Sequence, residues 1–343
     1  MNAPLLAIRN VGMVSSLGLT AAATCAALRA SATNPSPTAF EVEDEETLMS
    51  HQADLGDPWS GRTRLVKMAA LAVLECLELV PAAARNGIPL LLCVAERERP
   101  GRLESLDDLL FSELQTELGL HFHPQHSALV PLGRPGALLA LEQAGSLIAN
   151  HGVEQVLIVA TDSLIEPLTL TVFAEQGRLL TERNSNGFMP GEGAGAVLVG
   201  APGPNDDLRC LGVGRGIEPA PMMSGEPLRA EGLTTAIRQA LQQAGCQMHE
   251  IDFRITDLSG EHYGFKEAAL AFSRTQRQPK EEFDLWHPAE GIGETGAVAG
   301  VAIIVNAWAA CRKGYAKGPR ILLHAAADGE RRAAAVLHYT GAA

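Results

Sequence analysis

The stretch Gly187-Phe188-Met189-Pro190-Gly191-Glu192-Gly193-Ala194-Gly195-Ala196-Val197-Leu198-Val199, GFMPGEGAGAVLV, sets four glycines within nine residues ahead of an apolar run. Glycine-rich loops that hold phosphate sit between a strand and a following helix, so that backbone N–H groups and the helix N-terminus face the anion. Here Ala196–Val199 reads as a strand, Gly200 and Pro202 close it without a helix, and no Gly-Lys-Ser/Thr follows. The glycines therefore serve the backbone and not a phosphate.

Composition narrows the rest. The 343 residues fit one large domain or two ordinary ones, and 46% hydrophobic with 20% charged residues describes a soluble globular chain. The formal charge of 27 − 40 = −13 opposes nucleic acid and anionic membrane surfaces as partners. Aromatics are only 4%, so the core is built from small and aliphatic side chains. Cys25, Cys76, Cys93, Cys210, Cys246 and Cys311 are scattered without a CxxC pair, the usage of reduced thiols in a cytoplasmic protein. The apolar segment Val11–Leu28 has one upstream basic residue, Arg9, and Ser15, Ser16, Gly18 and Thr20 interrupt it. A strand, a turn and a short helix are expected there, not a leader peptide, and no segment is apolar for long enough to span a bilayer.

Strand and helix patterns alternate along the chain. Strands are expected at 5–14, 88–95 and 156–161, helices at 62–80 and 106–118, and a buried helix, apolar nearly all round, at 136–150. An acidic, proline-rich loop is expected at 33–57. After Pro202 the order restarts with strands at 208–214 and 253–257, helices at 231–244 and 264–273, a second all-apolar helix at 296–311, and strands at 320–325 and 333–339. This predicts an α/β fold layered α-β-α-β-α, with halves 1–200 and 201–343 forming one unit.

GFMPGEGAGAVLV resembles the GF-x-x-GEGAG segment of β-ketoacyl synthases, where the glycines allow close backbone approach in a tight turn before a core strand. NVGMVSSLG (10–18) resembles that family's opening strand and turn, and RLVKMAALAVLE (64–75) its first long helix. ALLALEQAGSLIANHGVEQVLIVATDSL (137–164) resembles the helix and strand beyond its nucleophile, and GETGAVAGVAIIV (293–305) its late Gly-His-x-x-Gly helix start. The resemblance spans nearly the whole chain and implies the thiolase-like, duplicated five-layer fold, usually dimeric. The strand at 156–161 matches the one expected at the two-fold axis, where pairing covers an edge.

What the resemblance implies for chemistry differs. Active members use a cysteine at the N-terminus of the first buried helix, where the helix dipole favours thiolate, and two histidines. Here the nucleophile position falls on Arg134, whose guanidinium stays protonated and cannot attack a thioester. The histidine positions fall on Ser259 and Glu294. The lysine and serine before the second histidine become Ala289 and Glu290, and the Gly-Phe-Gly-Gly loop becomes Ala327-Asp328-Gly329-Glu330. No catalytic residue is therefore expected, and an Arg134–Glu294 ion pair is expected to fill the vacated pocket. Gly187, Phe188, Gly191, Glu192, Gly193 and Gly195 are expected as structural turn residues.

Other clusters read more simply. Ser259 with His262 lacks a GxSxG elbow, and His121, His123 and His126 lack carboxylate support and sit in a polar loop, so no metal or cofactor is expected. Glu96–Arg102, ERERPGR, reads as a solvated turn, and GVGRG at 212–216 as a strand end.

The resemblance implies a non-catalytic partner, scaffold or adaptor. Two settings fit: a chain-length-factor-like subunit that forms a heterodimer with a related synthase, and a protein associated with secretion effectors or their adaptors, as in type VI systems. A homodimer is the alternative assembly. The competing functions are an acyltransferase with an unorthodox active site and an acyl-chain binding protein. An acyl carrier protein is the weaker expectation, because such carriers are acidic and no Lys/Arg cluster is visible here.

Overall fold

The computed structural model describes residues 5–42, 46–204 and 207–341. Its elements run in the order β1 (Leu6–Val14), α1 (Ala21–Arg29), β2 (Ser36–Glu41), β3 (Thr47–Ser50), α2 (Gly61–Cys76), α3 (Ala82–Arg85), β4 (Leu90–Cys93), α4 (Leu106–Leu118), β5 (Ala128–Val130), α5 (Gly136–His151), β6 (Gln155–Ser163), α6 (Pro167–Glu175) and β7 (Glu192–Gly200). Then follow β8 (Leu208–Ile217), α7 (Glu231–Ala244), β9 (Phe253–Thr256), α8 (His262–Thr275), β10 (Leu285–Trp286), α9 (Ala289–Ile292), α10 (Val298–Arg312), β11 (Arg320–Ala326) and β12 (Arg331–Tyr339).

Ten strands hydrogen-bond in the order β10-β9-β11-β12-β8-β1-β7-β6-β4-β5. Outward from the central β1–β8 contact, both sides repeat one scheme. Two antiparallel pairings (β1–β7–β6 and β8–β12–β11) give way to two parallel ones (β6–β4–β5 and β11–β9–β10). We read this repetition as the division of the chain near residue 200.

The layers follow from which faces are apolar. Ile158 of β6, Val197 of β7, Leu323 of β11 and Leu337 of β12 all pack into one cluster with Leu138 and Leu141 of α5 and Val301 and Ile304 of α10. The neighbouring residues Leu157, Val159 and Leu198 face the other way, onto Met68 and Val73 of α2 and Leu110 of α4. In the second half Leu322 and Val336 meet Leu233 and Ile237 of α7. Period-two alternation with both faces apolar is what a sheet covered on both sides requires. The result is the expected α-β-α-β-α layering.

Small residues set how closely the layers approach. A Cβ placed on Gly12 would lie 2.0 Å from the Ala72 carbonyl oxygen of α2, and one on Gly214 would lie 1.9 Å from that of Ala236 in α7. GVGRG is thus the middle of β8 pressed on a helix, where the sequence reading placed a strand end.

Other expectations are corrected. The acidic loop at 33–57 contains the antiparallel pair β2–β3, whose alternating burial seats Leu48 beside Phe173, Leu179 and Phe188; residues 43–45 lie outside the described residues. Helix α10 is buried nearly throughout, but α5 is buried only in its first part. Gln143, Ser146, Ala149, Asn150 and His151 are exposed, so its end is amphipathic. Strand β6 is no edge: it is bonded on both sides, to β4 and β7. The edge of the first half is β5, so β6 has no free backbone groups to offer a two-fold partner. Finally, strand β7 begins at Glu192, four residues before the strand read from sequence.

Candidate functional site

Gly187, Gly191, Gly193 and Gly195 have no left-handed φ and do not form a tight turn. Gly193 and Gly195 lie within β7, where a Cβ would lie 2.5 Å from the Val14 carbonyl oxygen of β1 and 2.4 Å from Val301 Cγ1 of α10, respectively. The preceding MPG segment grips the chain that carries Glu294. Glu294 N–H donates to the Met189 carbonyl at 2.8 Å, and Gly191 N–H donates to the Glu294 carbonyl at 2.8 Å. Glu192 is a structural anion, buried and paired with Arg64, with Ser163 Oγ donating to it at 3.1 Å and Ala53 N–H at 3.0 Å. The motif therefore places Glu294 and ties the start of α10 to the first half.

Arg134 stands just before α5, where Gly133 (φ +61°) turns the chain. Gly300 lets α10 approach, since a Cβ there would lie 2.4 Å from the Arg134 carbonyl oxygen. The Arg134 guanidinium uses all of its edges. Nη1 donates to Glu294 Oε2 at 2.7 Å, Nη2 donates to Asp328 Oδ1 at 2.7 Å, and Nε stands 3.5 Å from Asp257 Oδ2. Glu294 Oε1 is held in turn by Gly296 N–H at 2.9 Å.

The network extends on both sides. Arg178 meets Glu261 with two hydrogen bonds of 2.8 Å and donates from Nη1 to Asp328 Oδ2 at 2.6 Å. Its guanidinium lies 4.8 Å and 5.4 Å from the ring centroids of Phe173 and Phe188, a cation–π arrangement. On the other side Arg99 donates to Asp162 Oδ2 at 2.6 Å and to Glu96 Oε2 at 2.7 Å. Asp162 also accepts Ala297 N–H at 2.7 Å, where a carboxylate favours the N-terminal end of α10. Arg99 is buried, which corrects the reading of ERERPGR as a solvated turn at that residue, whereas Arg97 and Glu98 are exposed as that reading expects. Arg97 and Arg102 both pair with Asp107.

Three arginines thus share six carboxylates, and the electrostatics are uneven. Burial raises Asp328, but Arg134 and Arg178 outweigh it and hold the carboxyl well below the ordinary range. Burial dominates at Asp257 and pushes it up to about 6 despite Arg134. Asp162 is likewise raised by burial, offset in part by Arg99. Arg134 and Arg178 stay cationic, because their carboxylate partners exceed the cost of burial.

Little space remains. A cavity of about 20 Å3 lies among Arg99, Arg134, Arg178, Glu294 and Asp328, room for a water and not for an acyl chain. A second, of about 30 Å3, is lined by Arg134, Asp257, Glu261, His324 and the half-buried Ser259. His262 is exposed at the start of α8 and Ser259 faces the cavity, so the two do not form a nucleophile–base pair. Cys93 is the thiol near the start of α5: a Cβ built on Gly136 would lie 3.7 Å from its Cβ. Burial pushes that thiol up to about 12, so it carries no thiolate at neutral pH. His123 and His126 stack at 4.3 Å with His126 5.0 Å from His151, and among the described residues no group of three potential metal ligands occurs.

The structure thus brings together Arg134 and Glu294, and sets Ser259 along the adjoining cavity. Sequence reading missed Arg99, Arg178, Glu96, Asp162, Asp257 and Glu261, which come from four separate places in the chain: the loop after β4, the end of β6, the segment after α6 and the loop between β9 and α8. Asp328 was visible as the replacement for a loop residue, but its role as a shared anion was not.

No protein-family model matches the chain, and no curated protein sequence matches it. Solved structures do. The oxazolomycin ketosynthase domain of Streptomyces albus superposes with a TM-score of 0.80 at 14% identity, covering 98% of this chain and 75% of that one. A chain of the ketosynthase–chain length factor complex of Xenorhabdus doucetiae gives 0.73 at 14%, with 98% of both chains covered. The ishigamide ketosynthase/chain length factor gives 0.78 at 16%, covering 98% of this chain and 99% of that one. The chain has the thiolase-like, β-ketoacyl-synthase-like fold. No helix among the described residues is long and apolar enough to cross a membrane.

Proposed function

We propose that this chain is a non-catalytic ketosynthase-fold subunit that acts by pairing with a related synthase, in the manner of a chain length factor. The observation that carries this reading is Arg134, bonded to Glu294 and Asp328 at the start of α5. Condensation requires a thiolate to hold the acyl group, and a guanidinium cannot supply one. It also requires donors aimed at the charge that develops on the thioester carbonyl. Glu294 is an acceptor already committed to Arg134 and Gly296 N–H, and it would repel that charge.

Two similar structures come from ketosynthase–chain length factor assemblies, which supports a paired role. Within such a pair, the short edge β5 and the exposed end of α5 are the surfaces we assign to the partner. A cytoplasmic setting follows from this reading. A secretion-adaptor role uses the same inert site and differs only in the partner.

Affinity purification from the source cells, followed by native mass spectrometry, tests the pairing. A one-to-one complex with a cysteine-bearing synthase is expected. Recovery with secretion proteins and no synthase would replace this reading with the adaptor one.

A further inference from the structure

Helix α10 is apolar around its whole circumference with one interruption, Asn306. Asn306 is 7% exposed, and its side-chain amide, which makes no hydrogen bond to another described residue, reaches the solvent of a cleft. A polar group set in an otherwise apolar helix and aimed into a cleft, with no protein partner, is placed to bond what enters that cleft. Asn306 opens into a cleft of about 420 Å3 at the edge of the second half, lined also by Arg29, Trp286, His287, Glu290 and Tyr315. None of these residues lines the cavities around Arg134.

The cleft has a built aromatic wall. Trp286 and Tyr315 lie nearly parallel, 6.2 Å apart at 26°, and Phe253 backs Trp286 at 4.7 Å. The Arg29 guanidinium sits 4.7 Å from the Tyr315 ring centroid at the exposed end of α1. The Tyr315 hydroxyl has no hydrogen-bond partner among the described residues. His287 Nδ1 lies 3.0 Å from Glu290 Oε1, close enough for an ion pair but off the line of a hydrogen bond.

We propose that this cleft binds an anionic small molecule that carries a planar ring with an amide or lactam edge, the chemistry of a uracil or guanine nucleoside monophosphate. The ring lies against the outer edges of Trp286 and Tyr315, whose faces already meet each other, Phe253 and Arg29. Its edge presents one donor and one acceptor to the Asn306 amide, which offers the complementary pair. The anion meets Arg29, whose planar guanidinium suits phosphate or carboxylate. A volume of this size fits a ligand of that class.

Isothermal titration of the full chain with UMP and GMP, followed in parallel by tryptophan fluorescence, tests the proposal. Uridine and inorganic phosphate serve as half-ligands. Saturable binding is expected, weakened about tenfold or more by Asn306→Ala and by Arg29→Ala, and about tenfold in each half-ligand. Arg29 is exposed, so its variant keeps the test valid where Asn306→Ala perturbs folding. Absence of binding at millimolar UMP and GMP, affinity unchanged by Arg29→Ala, or phosphate binding as tightly as UMP would each overturn the proposal.

Discussion

Asp328 lies in the turn between β11 and β12, 194 positions from Arg134, and its Oδ1 accepts the Arg134 Nη2 proton at 2.7 Å while its Oδ2 takes Arg178 at 2.6 Å. One carboxylate therefore ties the first buried helix to the last hairpin through two arginines. Replacing Arg134 by Met leaves Asp328, Glu294 and Asp257 facing one another without their shared cation. Removing one partner from a buried ion network costs about 3–5 kcal/mol. Urea denaturation should show that loss for Arg134→Met, and a change under about 1 kcal/mol would mean the network is solvated and not structural.

The same network predicts opposite pH responses at two of its carboxylates. Asp328 is held well below its ordinary value of 3.8, so its contribution is complete above that pH and is lost as pH falls below it. Asp257 is raised from 3.8 to about 6, so the folded state binds more protons than the unfolded state in that window and stability falls as pH rises through it. Asp328→Asn should reduce the acid-induced loss of stability below pH 3.8, and Asp257→Asn should flatten the decline between pH 3.8 and 6. Denaturation midpoints measured from about pH 1.5 to 8 check both, and parallel profiles for the variants and the parent would contradict the assignment.

Close approach of β8 to α7 gives a packing prediction. A Cβ on Gly214 would stand 1.9 Å from the Ala236 carbonyl oxygen, which is backbone and cannot rotate away. Gly214→Ala should destabilise by about 1–3 kcal/mol, through forced separation of strand and helix. Gly225, with open space around it but φ +75°, provides a contrast. Its alanine variant should lose only the cost of that backbone conformation, about 1–2 kcal/mol. Thermal unfolding of the two variants separates overpacking from backbone strain.

Much of the layered fold is legible in the sequence because burial on both faces leaves a local mark. The unbroken apolar runs at 90–93, 156–160 and 298–305 announce covered strands and a central helix. Where the mark is not local, the reading fails. Leu48 lies between Thr47 and Met49 beside an acidic stretch, so the β2–β3 hairpin looks like a loop until its contact with Phe173 and Phe188 is seen. Arg99 lies in a run of alternating charge indistinguishable from a solvated turn, and only the arrival of Asp162 from β6 shows that it is buried. The Arg134–Glu294 juxtaposition follows from fold resemblance, whereas Arg178, Glu261 and Asp257 have no periodic pattern that would group them.

Edge geometry yields a prediction about assembly. β6 is bonded on both sides, so a partner strand adds at an edge of the sheet, and of its two edges, β10 and β5, the one in the first half is β5, where Leu129 is half-buried. We expect a dimer with a related synthase, or with a second copy, closed across β5. Proline cannot donate to a strand ladder. Leu129→Pro should therefore abolish the dimer in light scattering while leaving far-ultraviolet circular dichroism unchanged. A monodisperse monomer for the unaltered chain, alone and mixed with its synthase, would contradict this.

The central claim is that the site around Arg134 is filled by charge and holds no acyl group. Intact-mass spectrometry after incubation with malonyl and acyl thioesters, both as coenzyme A and as carrier-protein derivatives, tests it most directly. The account predicts an unchanged mass for the protein and no condensation product. It also predicts that Arg134→Cys makes no condensation product, because Glu294 and Ser259 still stand where imidazoles are needed. A covalent acyl adduct on the unaltered protein, or turnover above the uncatalysed background, would contradict it.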